Sequence, residues 1–204
     1  MGHRETMKIR PMTLADCNLL GKEIRGGAEI TAAIRKLDPV CLDSGTWRLY
    51  SDQYPQGGIS QWNMTARWRA EWGIAAAGFQ SIGEDLFGNQ IIVRNDSKLL
   101  HLWNHENGEQ HDLLLEPVDL FETVLESNLD WIDFYADGSL SVARKRVEEV
   151  SLDQHLHWTV PLILGGSVIA NNTSLVERLS HLVGHAKLWR QISDLPPGSS
   201  VMLT

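Results

Sequence analysis

The chain has 204 residues, 43% of them hydrophobic with eight tryptophans, and a formal net charge of -8 at pH 7. That much apolar material can bury a sizeable core, which excludes a disordered chain or a small disulfide-stapled scaffold. The acidic balance opposes nucleic acid, whose phosphates need clustered Lys and Arg, and no 18-residue apolar run is present to cross a membrane.

The first 12 residues carry charge but no apolar core, so no secretory leader is expected. Cys17 and Cys41 are too few for a disulfide framework and form no CxxC pair, which points to a reducing cytoplasm. Thr13 is a candidate cap for a helix from Leu14, with Leu14, Cys17, Leu20 and Ile24 at helical spacing. Gly26 and Gly27 interrupt it. A second helical pattern carries Ile30, Ala33, Ile34 and Leu37 until Pro39. Residues 46–51 read as a short strand and 55–58 as a turn. Residues 60–72 then carry Trp62, Trp68 and Trp72, of which the last two, four apart, would stack on one helix face. These indoles read either as core packing or as anchors for a partner protein.

From Gly78 the chain becomes short alternating or apolar runs divided by turn residues. Strands are predicted at 79–82, 90–94 and 99–103, with turns at 95–98 and 106–109; Asn107-Gly108 is a hairpin signal. A short amphipathic helix is expected at 117–127, with Leu120, Phe121, Val124 and Leu125 inward. Residues 131–143 suggest a hairpin turning at Asp137-Gly138, with Arg144, Lys145 and Arg146 as solvated charges at its strand end. A last helix is predicted over 174–192, with Leu175, Leu179, Leu182, Ala186 and Trp189 as its apolar stripe and Ser174 and Glu177 as a capping box. The order gives an α+β fold: a mostly antiparallel sheet built from hairpins and flanked by helices. Residues 1–78 are an N-terminal helical and strand region packed on or extending a main sheet domain at 79–204.

Gly165 and Gly166 follow an apolar run, but the segment lacks both GxGxxG and GK[ST], and six or seven residues part it from the predicted helix. The pair is therefore expected to turn the chain and not to cradle phosphate. His181 and His185 are four apart, a spacing that suits one metal ion, and Glu177 continues their row. The acid is not between them, as HExxH would require, and the row lies beside the apolar stripe. A surface or boundary row is the reading adopted, and no metal ligand or cofactor is assigned. His101 and His105 are less specific; His155 and His157 would share one face of a strand. There is no GxSxG elbow, and pairs such as Glu84-Asp85 or Glu148-Glu149 specify no acid–base role, so no catalytic residue is assigned.

At 82–93, IGEDLFGNQIIV, a strand, an acidic turn, Phe87-Gly88-Asn89 and a second strand resemble the sheet-opening hairpin of the SUKH superfamily, the Smi/Knr-type proteins. Gly88 and Asn89 suit its turn, and Phe87 can plug the core. The segment from PLILGG to LVERLSHLVGHAKLW is similar to the closing part of bacterial type VI secretion immunity proteins built on a related sheet. The resemblance covers about residues 79–192. It implies a SUKH-like α+β domain without catalysis, whose bacterial members bind and block a secreted or contact-delivered toxin and whose fungal relatives scaffold signalling. Gly88 and Asn89 carry over as structural positions only.

The expectation is a non-catalytic cytoplasmic immunity protein that binds a basic protein toxin or toxin domain, with no nucleic-acid or membrane partner. Trp62, Trp68 and Trp72 are its candidate partner-binding residues; Gly88, Asn89, Gly165 and Gly166 are turn residues. The alternatives are an intracellular scaffold of the same fold, which lacks a neighbouring toxin gene, and a metal-dependent enzyme on Glu177, His181 and His185, which would purify with metal.

Overall fold

A computed structural model describes residues 10–11, 27–35, 40–42, 45–54, 58–95, 97, 99–113, 138–196 and 198–199. The helix expected from Leu14 and the helix expected at 117–127 lie outside the described residues.

One seven-stranded sheet runs in the order β1 (Arg10–Pro11), β2 (Val40–Leu42), β3 (Trp47–Leu49), β4 (Phe79–Asp85), β5 (Gln90–Arg94), β6 (Leu100–Trp103) and β7 (Gln110–Asp112); the predicted strand runs supply β3 to β6, while β1, β2 and β7 come from residues outside those runs. β1 and β2 are parallel, and every later pair is antiparallel. In the middle of the sheet, Ile91, Ile92 and Val93 are all buried, as in a strand covered on both faces, where apolar runs replace alternation. A second, two-stranded antiparallel ribbon joins β8 (Gln154–Trp158) to β9 (Thr173–Glu177). The described helices are α1 (Gly27–Ile34), α2 (Gly58–Trp62), α3 (Ala70–Trp72), α4 (Ser139–Arg146) and α5 (Arg178–Ile192). The architecture is α+β, as the sequence led one to expect. Among the described residues no helix is long and apolar enough to cross a membrane.

The tryptophan segment is not one helix. Between α2 and α3 the chain makes a π turn over Thr65–Arg69, with Arg67 in a non-helical conformation (φ -94°, ψ -136°). The break swings all three indoles inward: Trp62, Trp68 and Trp72 are 2%, 0% and 5% exposed. Their rings form a chain with β6, Trp62 to Trp68 at 6.1 Å, Trp68 to Trp103 at 5.2 Å and Trp72 to Trp103 at 4.7 Å between centroids. Each indole N–H is satisfied inside: Trp62 donates to Gln90 Oε1, Trp68 to the Trp62 carbonyl and Trp72 to the Leu182 carbonyl. The reading of these three as partner anchors is corrected, because they have no surface to present.

Two further expectations change. Residues 139–146 form α4, not the returning strand of a hairpin. Gly138 takes a left-handed φ of 81° immediately before it, and Leu140 and Ala143, three apart, turn inward. Arg144, Lys145 and Arg146 thus occupy a helix's last turn, where cations suit the dipole. α5 begins at Arg178 and not at Ser174, because residues 173–177 pair with β8. Glu177 itself caps α5, accepting from the N–H groups of Leu179 (3.1 Å) and Ser180 (2.7 Å). Leu175 leaves the helical stripe, while Leu182 and Ala186 are fully buried. Arg48 on β3 locks ribbon to sheet by donating to the carbonyls of Val150, Ser151 and Gln154.

Candidate functional site

The turn between β4 and β5 sets the centre of the molecule. Gly88 has φ +94°, and a Cβ there would stand 2.7 Å from His155 Nδ1, so the turn is left-handed and also pressed against β8. Asp85 holds it by accepting from the N–H groups of Phe87 and Asn89, both at 2.9 Å, and from Asn89 Nδ2 at 2.8 Å. Burial nevertheless pushes the Asp85 carboxyl up to about 7, against those hydrogen bonds. Since Asn89 Nδ2 is the donor to Asp85, its Oδ1 is an acceptor, and it stands 2.9 Å from His105 Nδ1. His105 therefore carries its proton on Nδ1 and leaves Nε2 as a bare lone pair.

Around this turn five histidines from three segments converge: His105 after β6, His155 and His157 on one face of β8, and His181 and His185 on α5. His105, His155, His181 and His185 are buried, at 1%, 0%, 3% and 3% exposure. The expectation of a surface or boundary row for His181 and His185 is thus corrected. On α5 they face the same side as Leu182, and β8 and the β6–β7 turn close over them. His105 stacks edgewise on His181 (4.8 Å) and His185 (4.6 Å), and His157 faces His181 at 4.9 Å. Burial, followed by the neighbouring imidazoles, holds His105 and His181 well below the ordinary histidine range and brings His185 down to about 3. The rings are neutral at pH 7.

One proton chain runs through them. Glu84 Oε2 lies 2.8 Å from His155 Nε2, both side chains fully buried, so His155 donates from Nε2. Its Nδ1 then accepts from His181 Nδ1 at 3.1 Å, which leaves the lone pair of His181 on Nε2, 3.1 Å from His157 Nδ1. Burial alone would raise Glu84. The Arg178 guanidinium, then His155, more than reverse this and hold the carboxyl well below its usual range. Arg178 Nε approaches Glu84 Oε1 to 2.7 Å, and its guanidinium lies over the rings of Tyr50 (5.2 Å), Tyr54 (4.9 Å) and Trp62 (4.0 Å). Tyr50 Oη adds a hydrogen bond to Glu84 Oε2 at 2.6 Å.

Two clefts flank the cluster. One, about 260 Å³, is lined by His157, Pro161, His181, Gly184, His185 and Leu188. The other, about 210 Å³, reaches Phe87, Asn89, His105, Glu106, Leu162 and Ile163. Between them stands the loop joining β8 to β9. Its middle is an inward-bonded coil: Asn172 Nδ2 donates to the carbonyls of Val160 and Ser167, its Oδ1 accepts from the Val160 N–H, and the Gly166 N–H donates to the Pro161 carbonyl. The Glu106 carboxylate accepts from the N–H groups of Leu162 and Ile163 at the loop's base. Gly165 is left-handed at φ +86°, and a Cβ on Gly166 would fall 1.9 Å from the Val160 carbonyl oxygen. The glycine pair turns the chain, as expected.

The metal-enzyme alternative built on Glu177, His181 and His185 loses its acid, because the Glu177 carboxylate is spent capping α5. The histidine spacings at 155/157 and 181/185 were visible in the sequence. Arg178, Tyr50 and the partnership of Glu84 with His155 were not, since nothing local distinguishes them.

No family model and no curated protein matches the chain. Among solved structures it is similar to the crystal structure of Atu4351 from Agrobacterium tumefaciens, at 15% identity and a TM-score of 0.48, covering 88% of this chain and 82% of that one.

Proposed function

We propose that this chain is a non-catalytic binding protein that captures and neutralises a basic protein toxin in the cytoplasm, in the manner of bacterial immunity proteins. The β8–β9 loop carries the reading. Val160, Ile163 and Ile169 are 48%, 38% and 54% exposed on it, and Leu175 on β9 is 39% exposed. These exposed aliphatic side chains, carried on one loop and its adjoining strand, are the candidate contact surface for a partner protein. The loop's internal hydrogen bonds hold it in shape before binding, which lowers the entropy lost on association. A net charge of -8 steers a basic partner toward it. The loop takes over the anchoring role first expected of the tryptophans. It also lies in the segment whose sequence resembles type VI immunity proteins, and the Phe87-Gly88-Asn89 stretch on which the SUKH resemblance rests forms the turn between β4 and β5.

The test pairs this chain with the protein encoded beside it. That protein should arrest growth when produced alone, and co-production of this chain should restore growth. Biolayer interferometry should give a tight complex whose association slows with salt. Ile163→Asp combined with Ile169→Asp should keep the melting temperature and abolish both binding and rescue. Full rescue by that variant, or no binding by the wild type, would overturn the reading.

A further inference from the structure

We infer that His105, His181 and His185 form a binding site for a divalent first-row transition metal ion of the zinc class, which ties α5 to the β6–β7 turn beneath the partner loop. The inference goes beyond the partner reading and does not rest on it.

Each of the three residues offers one nitrogen, and these atoms all lie within 4.8 Å of one another. A tetrahedral site with bonds of about 2.0–2.1 Å places its nitrogens roughly 3.4 Å apart, so small rotations of the rings would close it. The donor atoms are in the state a metal needs. His105 Nε2 and His185 Nδ1 are buried and have no hydrogen-bond partner among the described residues. Leaving buried nitrogens unpaired is costly, and a metal ion satisfies both at once. His181 keeps its one ring lone pair on Nε2, because its Nδ1–H is committed to His155, and metal binding would draw that lone pair away from His157 Nδ1, 3.1 Å distant.

The outer groups are those that usually support metal-bound imidazoles. Asn89 Oδ1 fixes the tautomer and plane of His105 from behind, and Glu84 fixes His155, which in turn fixes His181. An all-imidazole donor set suits zinc, copper or nickel and not magnesium or calcium, which prefer oxygen. The cleft at His157, His181 and His185 provides access from solvent and room for a fourth ligand. The position in the fold gives the site its purpose. His105 precedes Glu106, whose carboxylate holds the base of the β8–β9 loop. An ion at His105 therefore stiffens that base.

The test uses the full-length protein, stripped with chelator and titrated with Co²⁺ and with Zn²⁺ in the absence of any partner. One equivalent of Co²⁺ is expected to give the visible absorption of a low-symmetry nitrogen-ligated site, displaced by Zn²⁺, and Zn²⁺ is expected to raise the melting temperature. His185→Gln should remain folded by circular dichroism and lose the absorption, whereas His111→Gln, on β7, should keep it. If the wild type gives no such spectrum, or if folded His185→Gln still gives it, the inference fails. Should His185→Gln not fold, the wild-type spectrum and its proton-coupled imidazole shifts by NMR decide alone. Because no partner is present, failure here leaves the toxin-binding test untouched.

Discussion

Arg178 Nε lies 2.7 Å from Glu84 Oε1, with the two side chains 1% and 0% exposed. One sits at the start of α5 and the other in the middle of the main sheet, so their ion pair is the electrostatic joint between helix and sheet. Two charges removed from water need each other. Removing one strands the other.

Glu84→Gln is therefore expected to destabilise the fold by about 3–5 kcal/mol, the usual cost of an orphaned buried charge. Urea denaturation at pH 7.5 measures it. Replacing both partners, Glu84→Gln with Arg178→Met, should be less damaging than Glu84→Gln alone, because no charge is then left unpaired. An equal or larger loss in the double variant would show that the pair does not act as a unit.

Gly88→Val should cost about 1–3 kcal/mol through its left-handed conformation alone. The new side chain would also meet the His155 ring at Nδ1 and Cε1, 2.7 and 2.9 Å from where its Cβ would stand. The loss of melting temperature should therefore be accompanied by shifts in the His155 and His181 imidazole resonances. A stability loss with those resonances unmoved would place the strain in the turn only.

Trp68→Ala should lower stability by about 3–5 kcal/mol, as for other buried large aromatics. Its indole is fully buried and donates to the Trp62 carbonyl, so the variant loses packing and leaves that carbonyl short of a partner. Partner affinity, measured on the fraction that remains folded, should change little. A faster dissociation with an intact melting temperature would return the tryptophans to an interface.

The α+β class and the hairpins of the main sheet were legible because strand period and turn residues are local signals: Gln90–Arg94 and Asn107-Gly108 lie where the pattern put them. What failed was decided by distant partners. Residues 173–177 carry a respectable helix start, yet β8 offers them a ladder, and pairing wins over the capping box. SLSVA reads as alternation over five residues, which also fits one inward face of a short helix, and the burial of Leu140 and Ala143 settles the choice. The histidines beside the stripe of α5 looked like a boundary row because a helical wheel shows only one helix. The β6–β7 turn and β8, far away in sequence, supply the cover. Arg178 gave no signal, since an arginine next to a glutamate at a helix start is commonplace.

Stability of the metal-free protein should fall steeply below about pH 6.5, and the sign follows from the direction of each shift. His105, His155, His181 and His185 all titrate below their ordinary range in the folded state, first because they are buried. In the unfolded chain they take up protons near pH 6.5, so below that pH the unfolded state binds more protons and gains. Around His155 the neighbouring Arg178 and Arg48 reinforce neutrality, while Glu84 opposes it. Asp85 works the other way: held up to about 7, it binds a proton in the folded state that the unfolded chain has lost above about pH 4. Counting these groups alone, four histidines against one aspartate leave a net uptake of up to three protons on unfolding, or about 4 kcal/mol per pH unit, and His157, which burial also lowers, adds in the same direction. Below about pH 4.5 Glu84 joins the histidines, because its depressed pKa contributes stability only while the unfolded chain is ionised. Urea midpoints at pH 7.5, 6.0 and 5.0 in chelator should drop in that order, with the larger step at the acid end. A flat profile from 7.5 to 5.0 would mean that the cluster is solvated or already charged, and with it the neutral-imidazole geometry would fall.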